Sequence, residues 1–150
     1  MIQVIGLEKI NDMLSNLKST LSPQAMERHL NTIGNMTQNV IEESFNDERS
    51  PFGEVWKPRK PTKKRNDRKL LYKNGYLSTQ WQTQATPDEV VISNNTKSPK
   101  GYPYPAVHQF GSKHVKARRF LPIDESSNLE PQLKETIETY LQNAINGAIR

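Results

Sequence analysis

A single long amphipathic stretch, Pro23 to Phe45, dictates much of how this chain must fold. Met26, Leu30, Ile33, Met36 or Thr37, Val40, Ile41 and Phe45 recur at three- and four-residue steps, the spacing that gathers side chains on one side of an α-helix. Ser22 suits the N-cap, where a hydroxyl accepts from an early backbone N–H, and Pro23 suits the first turn, where no N–H is needed. At 1.5 Å per residue, about 23 residues make a rod of about 35 Å. Its apolar side has to be covered along that length, so the other elements must pack against it. Gly34 sits mid-stretch, where it costs about 1 kcal/mol relative to Ala, and it predicts a close helix contact at that point.

Ahead of this rod, Leu7, Ile10, Leu14, Leu17 and Leu21 mark a shorter amphipathic helix, and Ile2 to Ile5, stopped by Gly6, reads as a short edge strand. Behind it, Asn46 to Trp56 is broken by Pro51 and Gly53 and reads as a structured loop. Phe52 and Trp56 are expected to pin that loop to the body, with Gly53 at its turn. Leu70-Leu71-Tyr72 runs into the turn pair Asn74-Gly75. Leu77, Thr79, Trp81, Thr83 and Ala85 then alternate with polar residues as one strand, Pro87-Asp88 turns, and Glu89 to Ser93 returns to complete a hairpin. Asn94 to Tyr104 is a loop. The stretch from Tyr102 to Leu121 predicts a helical turn through His108, then a third strand around His114 to Leu121 that Pro122 ends. A last helix starts near Leu129-Glu130-Pro131 and carries Leu133, Ile137, Tyr140, Leu141, Ala144, Ile145 and Ala148 on its apolar face. The fold class is α+β: two N-terminal helices, a small antiparallel sheet with a hairpin, and a C-terminal helix, expected as a single domain over 1–150.

Only 33% of residues are apolar and 25% are charged, so the core is lean, and order can be gained by burying surface against neighbours. Cysteine is absent, which excludes disulfides and thiolate metal sites and fits a reducing cytoplasm. No charged leader precedes an apolar run at the N-terminus, so no signal peptide is expected. No apolar segment approaches the length of about 20 residues that a membrane span needs. The net charge of +5 is unevenly placed. Residues 57–69 hold Lys57, Arg59, Lys60, Lys63, Lys64, Arg65, Arg68 and Lys69 with one acid, Asp67, a local charge of +7. The rest of the chain has 13 basic and 15 acidic residues. Pro58 and Pro61 discourage regular structure there, and a mobile basic loop at about 57–69 is expected.

The sequence presents no catalytic pattern. The three histidines, His29, His108 and His114, form no H-x-x-x-H pair and no carboxylate cluster, so neither a zinc site nor any other cofactor is expected. His29, beside a helical apolar face, reads as a satisfied, partly buried side chain. His108, flanked by Gln109 and Phe110, reads as a structural imidazole bonding nearby backbone in preference to an acid–base group, for want of a nucleophile. Glu42, Glu43, Asp47 and Glu48 crowd a helix C-terminus, where negative charge is unfavourable unless paired, with Arg49 or the basic loop as candidate partners. The basic loop admits two readings. It can neutralise nucleic-acid phosphates without sequence preference, or it is a solvated or protein-directed surface. Confinement of the charge to one proline-broken segment favours the second, and the lack of interleaved aromatics disfavours single-strand stacking. Tyr102 to Leu121 alternates polar groups with large anchors, as an interface with another protein does.

The series Phe45, Glu48, Pro51, Gly53, Trp56-Lys57-Pro58, Leu71, Asn74-Gly75-x-Leu77, Tyr104-Pro-Ala-Val-His108-Gln-Phe-Gly111 and Ala117-Arg-Arg-Phe-Leu121 resembles the phage virion morphogenesis family, the tail completion proteins of Mu-like and P2-like contractile-tailed bacteriophages and prophages. H-Q-F-G followed by A-R-x-F-L is the most specific part. Two departures stand out: Asn74-Gly75 where the family favours Thr-Gly, and Arg119 where it favours proline. The resemblance implies a non-enzymatic structural protein of the virion tail end or neck, made in the host cytoplasm and acting in tail completion and head–tail joining. It further implies a homo-oligomeric ring, expected to be hexameric, that meets other neck, tail-tube or head-connector proteins. A ring needs a patch that meets a different patch on the next subunit. Tyr104, His108, Gln109, Phe110, Gly111, Arg118, Arg119 and Phe120 are the candidates for it, or else, for Phe110 and Phe120 above all, they pack one subunit's own sheet. The basic loop then becomes a candidate for meeting an acidic neighbour or channel DNA, and a free-standing basic nucleic-acid-binding protein is the alternative.

Overall fold

A computed structural model describes residues 7–60, 69–71, 75–102 and 104–149. The expected strand at Ile2 to Ile5 lies outside them, as do Tyr72 and Asn74. Helix α1 spans Leu7–Thr20 and α2 spans Pro23–Asp47. Ser22 is extended and its Oγ accepts from the Ala25 N–H at 3.3 Å, as the cap requires. The rod is 25 residues long and ends where Glu48 turns left-handed at φ 53°. Helix α5, Pro131–Ala148, packs against both α1 and α2, and the Glu130 carboxylate caps it by accepting from the N–H groups of Gln132 and Leu133. His29 is satisfied as expected, with Nδ1 2.8 Å from the Tyr140 hydroxyl.

The opposite side of α2 carries the hairpin. Strands β1 (Gln82–Ala85) and β2 (Val90–Ser93) pair antiparallel from Gln82↔Ser93 to Ala85↔Val90. The strand does not begin at Leu77. Tyr76–Thr79 forms instead a short helix, α3, entered through Gly75 at φ 76°. The Gly75 carbonyl accepts from the hydroxyls of Ser78 and Thr79, and the Leu77 carbonyl accepts the Trp81 indole N–H at 2.9 Å. Leu77 and Trp81, four apart, thereby enter the core together, as helical spacing permits and strand alternation also suggested.

The close contact foreseen at Gly34 is made to the hairpin, not to another helix. A Cβ there would sit 2.7 Å from Val90 Cγ2 and closer still to Thr83 Cγ2. The third strand does not form. His114 to Leu121 is irregular: the N–H groups of Arg118, Phe120 and Leu121 go to another helix, α4 (Tyr104–Phe110), and those of His114 and Val115 to the Ser112 hydroxyl, not to the hairpin.

The core gathers at the C-terminal half of α2: Ile41, Phe45, Trp56, Leu77, Trp81 and Phe120, with Leu70, Leu71, Ile92, Tyr104 and Leu121 packed around them. Ring centres of Phe45 lie 5.4 Å from Trp56 and 5.1 Å from Phe120, and Trp81 lies 5.6 Å from Phe120. Phe120 is thus the shared neighbour of two elements distant in sequence.

Gly34→Ala should test the helix–hairpin contact. It gains about 1 kcal/mol of helix propensity but overpacks the site by more, since rotating Thr83 out of the way breaks its 2.8 Å bond to Gln38. Urea denaturation should show a net loss of about 1–2 kcal/mol, partly recovered by Thr83→Ser.

Candidate partner interface

The segment around α4 is built by local closures. Gly101, at φ 78°, closes the turn in which its N–H donates to the Ser98 carbonyl at 2.8 Å. Gly111 ends α4 at φ 78°, and an added Cβ there would lie 3.1 Å from the Ala117 backbone nitrogen, so the tight reversal needs a glycine. The reversal brings Arg118 N–H to the His108 carbonyl at 2.7 Å. Gln109, only 3% exposed, then accepts two N–H groups on its Oε1, from Phe120 at 2.8 Å and Leu121 at 3.0 Å. From the other side the Trp56 indole donates to the Arg119 carbonyl at 2.8 Å. Three side-chain bonds therefore hold residues 119–121, and H-Q-F-G and A-R-R-F-L are one structural unit.

The candidate residues separate by burial. Gln109, Gly111 and Phe120 are interior or framework positions, and Tyr104 is half-buried against the core with its ring 6.3 Å from that of His108. Phe110 is 72% exposed, and Tyr102 on the approach to α4 is also open. Arg119 forms an exposed ion pair with Glu125 at 2.7 Å. Arg118 donates from Nε to the Lys57 carbonyl at 2.9 Å and from Nη2 to the Pro58 carbonyl at 3.4 Å.

Of the two loop anchors, only Trp56 acts as one. Phe52 is 40% exposed at the tip of a small turn in which Gly53, at φ 92°, donates to the Ser50 carbonyl. The turn closes on the Ser50 backbone and hydroxyl, and Phe52 is not among the residues of the core cluster or those packed on it. His108 also differs from expectation. Its Nδ1 is buried without a hydrogen-bond partner, and its backbone carbonyl, not that ring nitrogen, accepts the Arg118 N–H. Burial, and then the Arg118 guanidinium, push the imidazole pKa below its usual value.

Sequence reasoning missed Glu48. At the left-handed end of α2 its Oε1 accepts the Leu70 N–H at 2.7 Å, which fastens the far end of the basic loop. Nothing in the residue type announces a left-handed glutamate. No ion pair joins Arg49 to the acidic group among the described residues; Glu42 accepts from Gln38 instead. Lys57 and Lys60 are exposed; Arg59 donates to the Lys69 carbonyl, and Lys69 to that of Asn46. Lys63, Lys64, Arg65 and Arg68 lie outside the described residues. Among the described residues no three His, Asp or Glu are grouped to hold a metal, and no helix is long and apolar enough to cross a membrane.

The profile of the phage virion morphogenesis family matches residues 5–142. The chain belongs to that family. The match runs from α1 into the last turns of α5 and includes every residue of the α4 unit. No curated protein and no solved structure matches the chain. Membership supports a structural or assembly role in the phage particle.

Gln109→Leu should strand two buried N–H groups and cost about 2–4 kcal/mol, with faster amide exchange at Phe120 and Leu121. His108 supplies a pH test. Its folded pKa lies below the ordinary 6.5, so as pH falls through 6.5 the unfolded chain takes up a proton that the folded chain refuses. Stability is therefore full above that range and declines below it. His108→Gln should flatten the melting temperature between about pH 7.5 and about pH 5.5 relative to the parent.

Proposed function

We propose that this protein works at the tail end or neck of the virion, where it completes the tail and prepares it to join a DNA-filled head. It does so as a ring of identical subunits, with six expected to match a sixfold tail tube. The observation that carries the reading is the contrast between consecutive residues of α4: Gln109 is almost wholly buried and Phe110 is 72% exposed. A helix turns about 100° per residue, so one residue locks the unit internally while the next presents an uncovered aromatic. Aromatic side chains of this kind are the usual anchors of protein interfaces, and a chain with a lean core has reason to bury them against a neighbour. Tyr102, just ahead of α4, is also exposed. In this reading the protein acts by shape, as a joint between larger pieces.

Deleting the gene from a phage that carries it tests the proposal. Heads and tails should accumulate separately, each otherwise complete; particles that form and infect normally without it would overturn the reading. Complementation with Phe110→Ala sharpens the test. The variant should keep its folding stability within about 0.5 kcal/mol, as an exposed position allows, yet fail to restore joined particles.

A further inference from the structure

The groove between α2 and α5 and the tip that follows α4 carry opposite charge. The groove, about 430 Å³ in volume, has an apolar wall that includes Met36, Val40 and Leu133, and Glu43 and Asp47 line it from the last turns of α2. With Glu130 and the one cation, Arg49, it balances at −2. Glu130 is engaged in capping α5. Glu43 and Asp47 are exposed, and their carboxylates make no hydrogen bond or ion pair among the described residues. They stand four residues apart at the negative end of α2, an arrangement that disfavours both charges until a cation arrives.

The tip is the reverse case. From Val90 to Ile123 the sequence contains no acid and six Lys or Arg. Two of the six are engaged: Arg119 pairs with Glu125, and Arg118 binds the Lys57 and Pro58 carbonyls and feels the Glu48 carboxylate. Lys113 and Lys116 are exposed, and their ammonium groups make no hydrogen bond or ion pair among the described residues. The turn between them is closed by Ser112, whose Oγ accepts the N–H groups of His114 at 3.3 Å and Val115 at 3.2 Å, and whose N–H donates to the Val115 carbonyl at 2.8 Å. Phe110, 72% exposed, immediately precedes this turn. The tip therefore offers an aromatic anchor and two cations on a backbone that is already ordered.

We propose that the α4 tip of one copy docks in the α2–α5 groove of the next, with Phe110 against the apolar wall and Lys113 and Lys116 facing Glu43 and Asp47. This rests on the ring reading and names the two patches that a ring requires. A subunit does not fill its own groove, since Phe110, Glu43 and Asp47 are all exposed in the folded chain. Charge decides for a second copy in head-to-tail order. Each subunit carries +5, so copies repel one another unless opposite charges meet where they touch. Tip against tip, or groove against groove, would oppose like charges; only tip against groove is complementary. Such a contact joins two different patches, so it repeats from copy to copy and closes where the rotation permits. Its make-up is that of an interface, with an aromatic anchor in an apolar recess and charges around it.

Sedimentation velocity of the full-length protein at low ionic strength tests the contact, and the parent should self-associate. Glu43→Lys/Asp47→Lys and Lys113→Glu/Lys116→Glu should each weaken association more than about a hundredfold, because like charges then meet. The groove variant should unfold at an equal or higher urea concentration than the parent, since lysines suit a helix C-terminus, and this separates lost association from lost folding. If the tip variant folds less stably, Lys113→Gln/Lys116→Gln should still weaken association about tenfold. Phe110→Ala should do the same. Rescue is the decisive readout. Mixed in equal amounts, the two reversed variants present complementary patches at every contact and should assemble again, as should a chain with all four substitutions. The proposal is overturned by a parent that stays monomeric, by a reversed variant that assembles as the parent does, or by a mixture and a fourfold variant that both stay apart. Oligomers that survive both reversals leave the ring standing on other patches, whereas normal particles after gene deletion would end the assembly reading itself.

Discussion

The Gln109 side chain sets the position of everything around it. A backbone that runs through a core without joining a sheet leaves buried N–H groups, and each unpaired one costs of the order of 1–3 kcal/mol. Here one amide oxygen accepts both the Phe120 and the Leu121 N–H, and so does the work of a neighbouring strand. That frees residues 118–121 from any ladder register and lets Phe120 drop between Phe45 and Trp81. Burying the Phe120 ring contributes roughly 1.5–3 kcal/mol, more than either hydrogen bond contributes net. The bonds therefore act mainly by making that burial possible. The Trp56 indole completes the clamp on the Arg119 carbonyl, which ties the loop after α2 to the same three residues.

This clamp explains which parts of the structure were legible in the sequence. Helices α1, α2 and α5 follow from local spacing, and Ser22 with Pro23 marks the start of α2 and Pro131 that of α5 within a residue or two. The hairpin turn at Pro87-Asp88 is equally local. The irregular path of His114 to Leu121 was not legible, since the acceptor that replaces a strand partner is a side chain on a separate helix. Gly34 announced a close approach, but which surface approached depended on how the hairpin folds over α2. Leu77 and Trp81 satisfied the strand pattern and the helical pattern at once, and the carbonyls of Gly75 and Leu77 decided for the helix.

The candidate site divides in the same way. Its residue types were visible as a cluster, while their orientations were not. Phe110 and Phe120 look alike in the sequence, yet one is exposed and the other is the most enclosed ring of the core. Phe52 and Trp56 likewise separate, because the Ser50 turn closes without the phenyl ring and the indole finds a carbonyl acceptor. Glu48 was read as one of four crowded acids and as a member of the family series, with no structural role attached. Its left-handed backbone directs the carboxylate to the Leu70 N–H across the mouth of the basic loop, a role fixed by conformation and not by charge alone.

Inner and outer residues alternate so closely in this unit that shape and surface are set by the same few positions. Gln109 faces in and Phe110 out; Phe120 faces in, while Arg118 reaches the backbone of Lys57 and Pro58 and Arg119 reaches Glu125. A side chain that presents an outward group has little room to move when its neighbour on each side is fixed by a buried bond. Pre-ordering of this kind lowers the entropy lost when a partner docks, which is the cost that most often limits a modest contact. A chain with few apolar residues can therefore still offer a defined surface, because side-chain bonds tie the α4 unit to the aromatic cluster. Helices α1 and α5 pack together and, with α2, form a helical brace behind it.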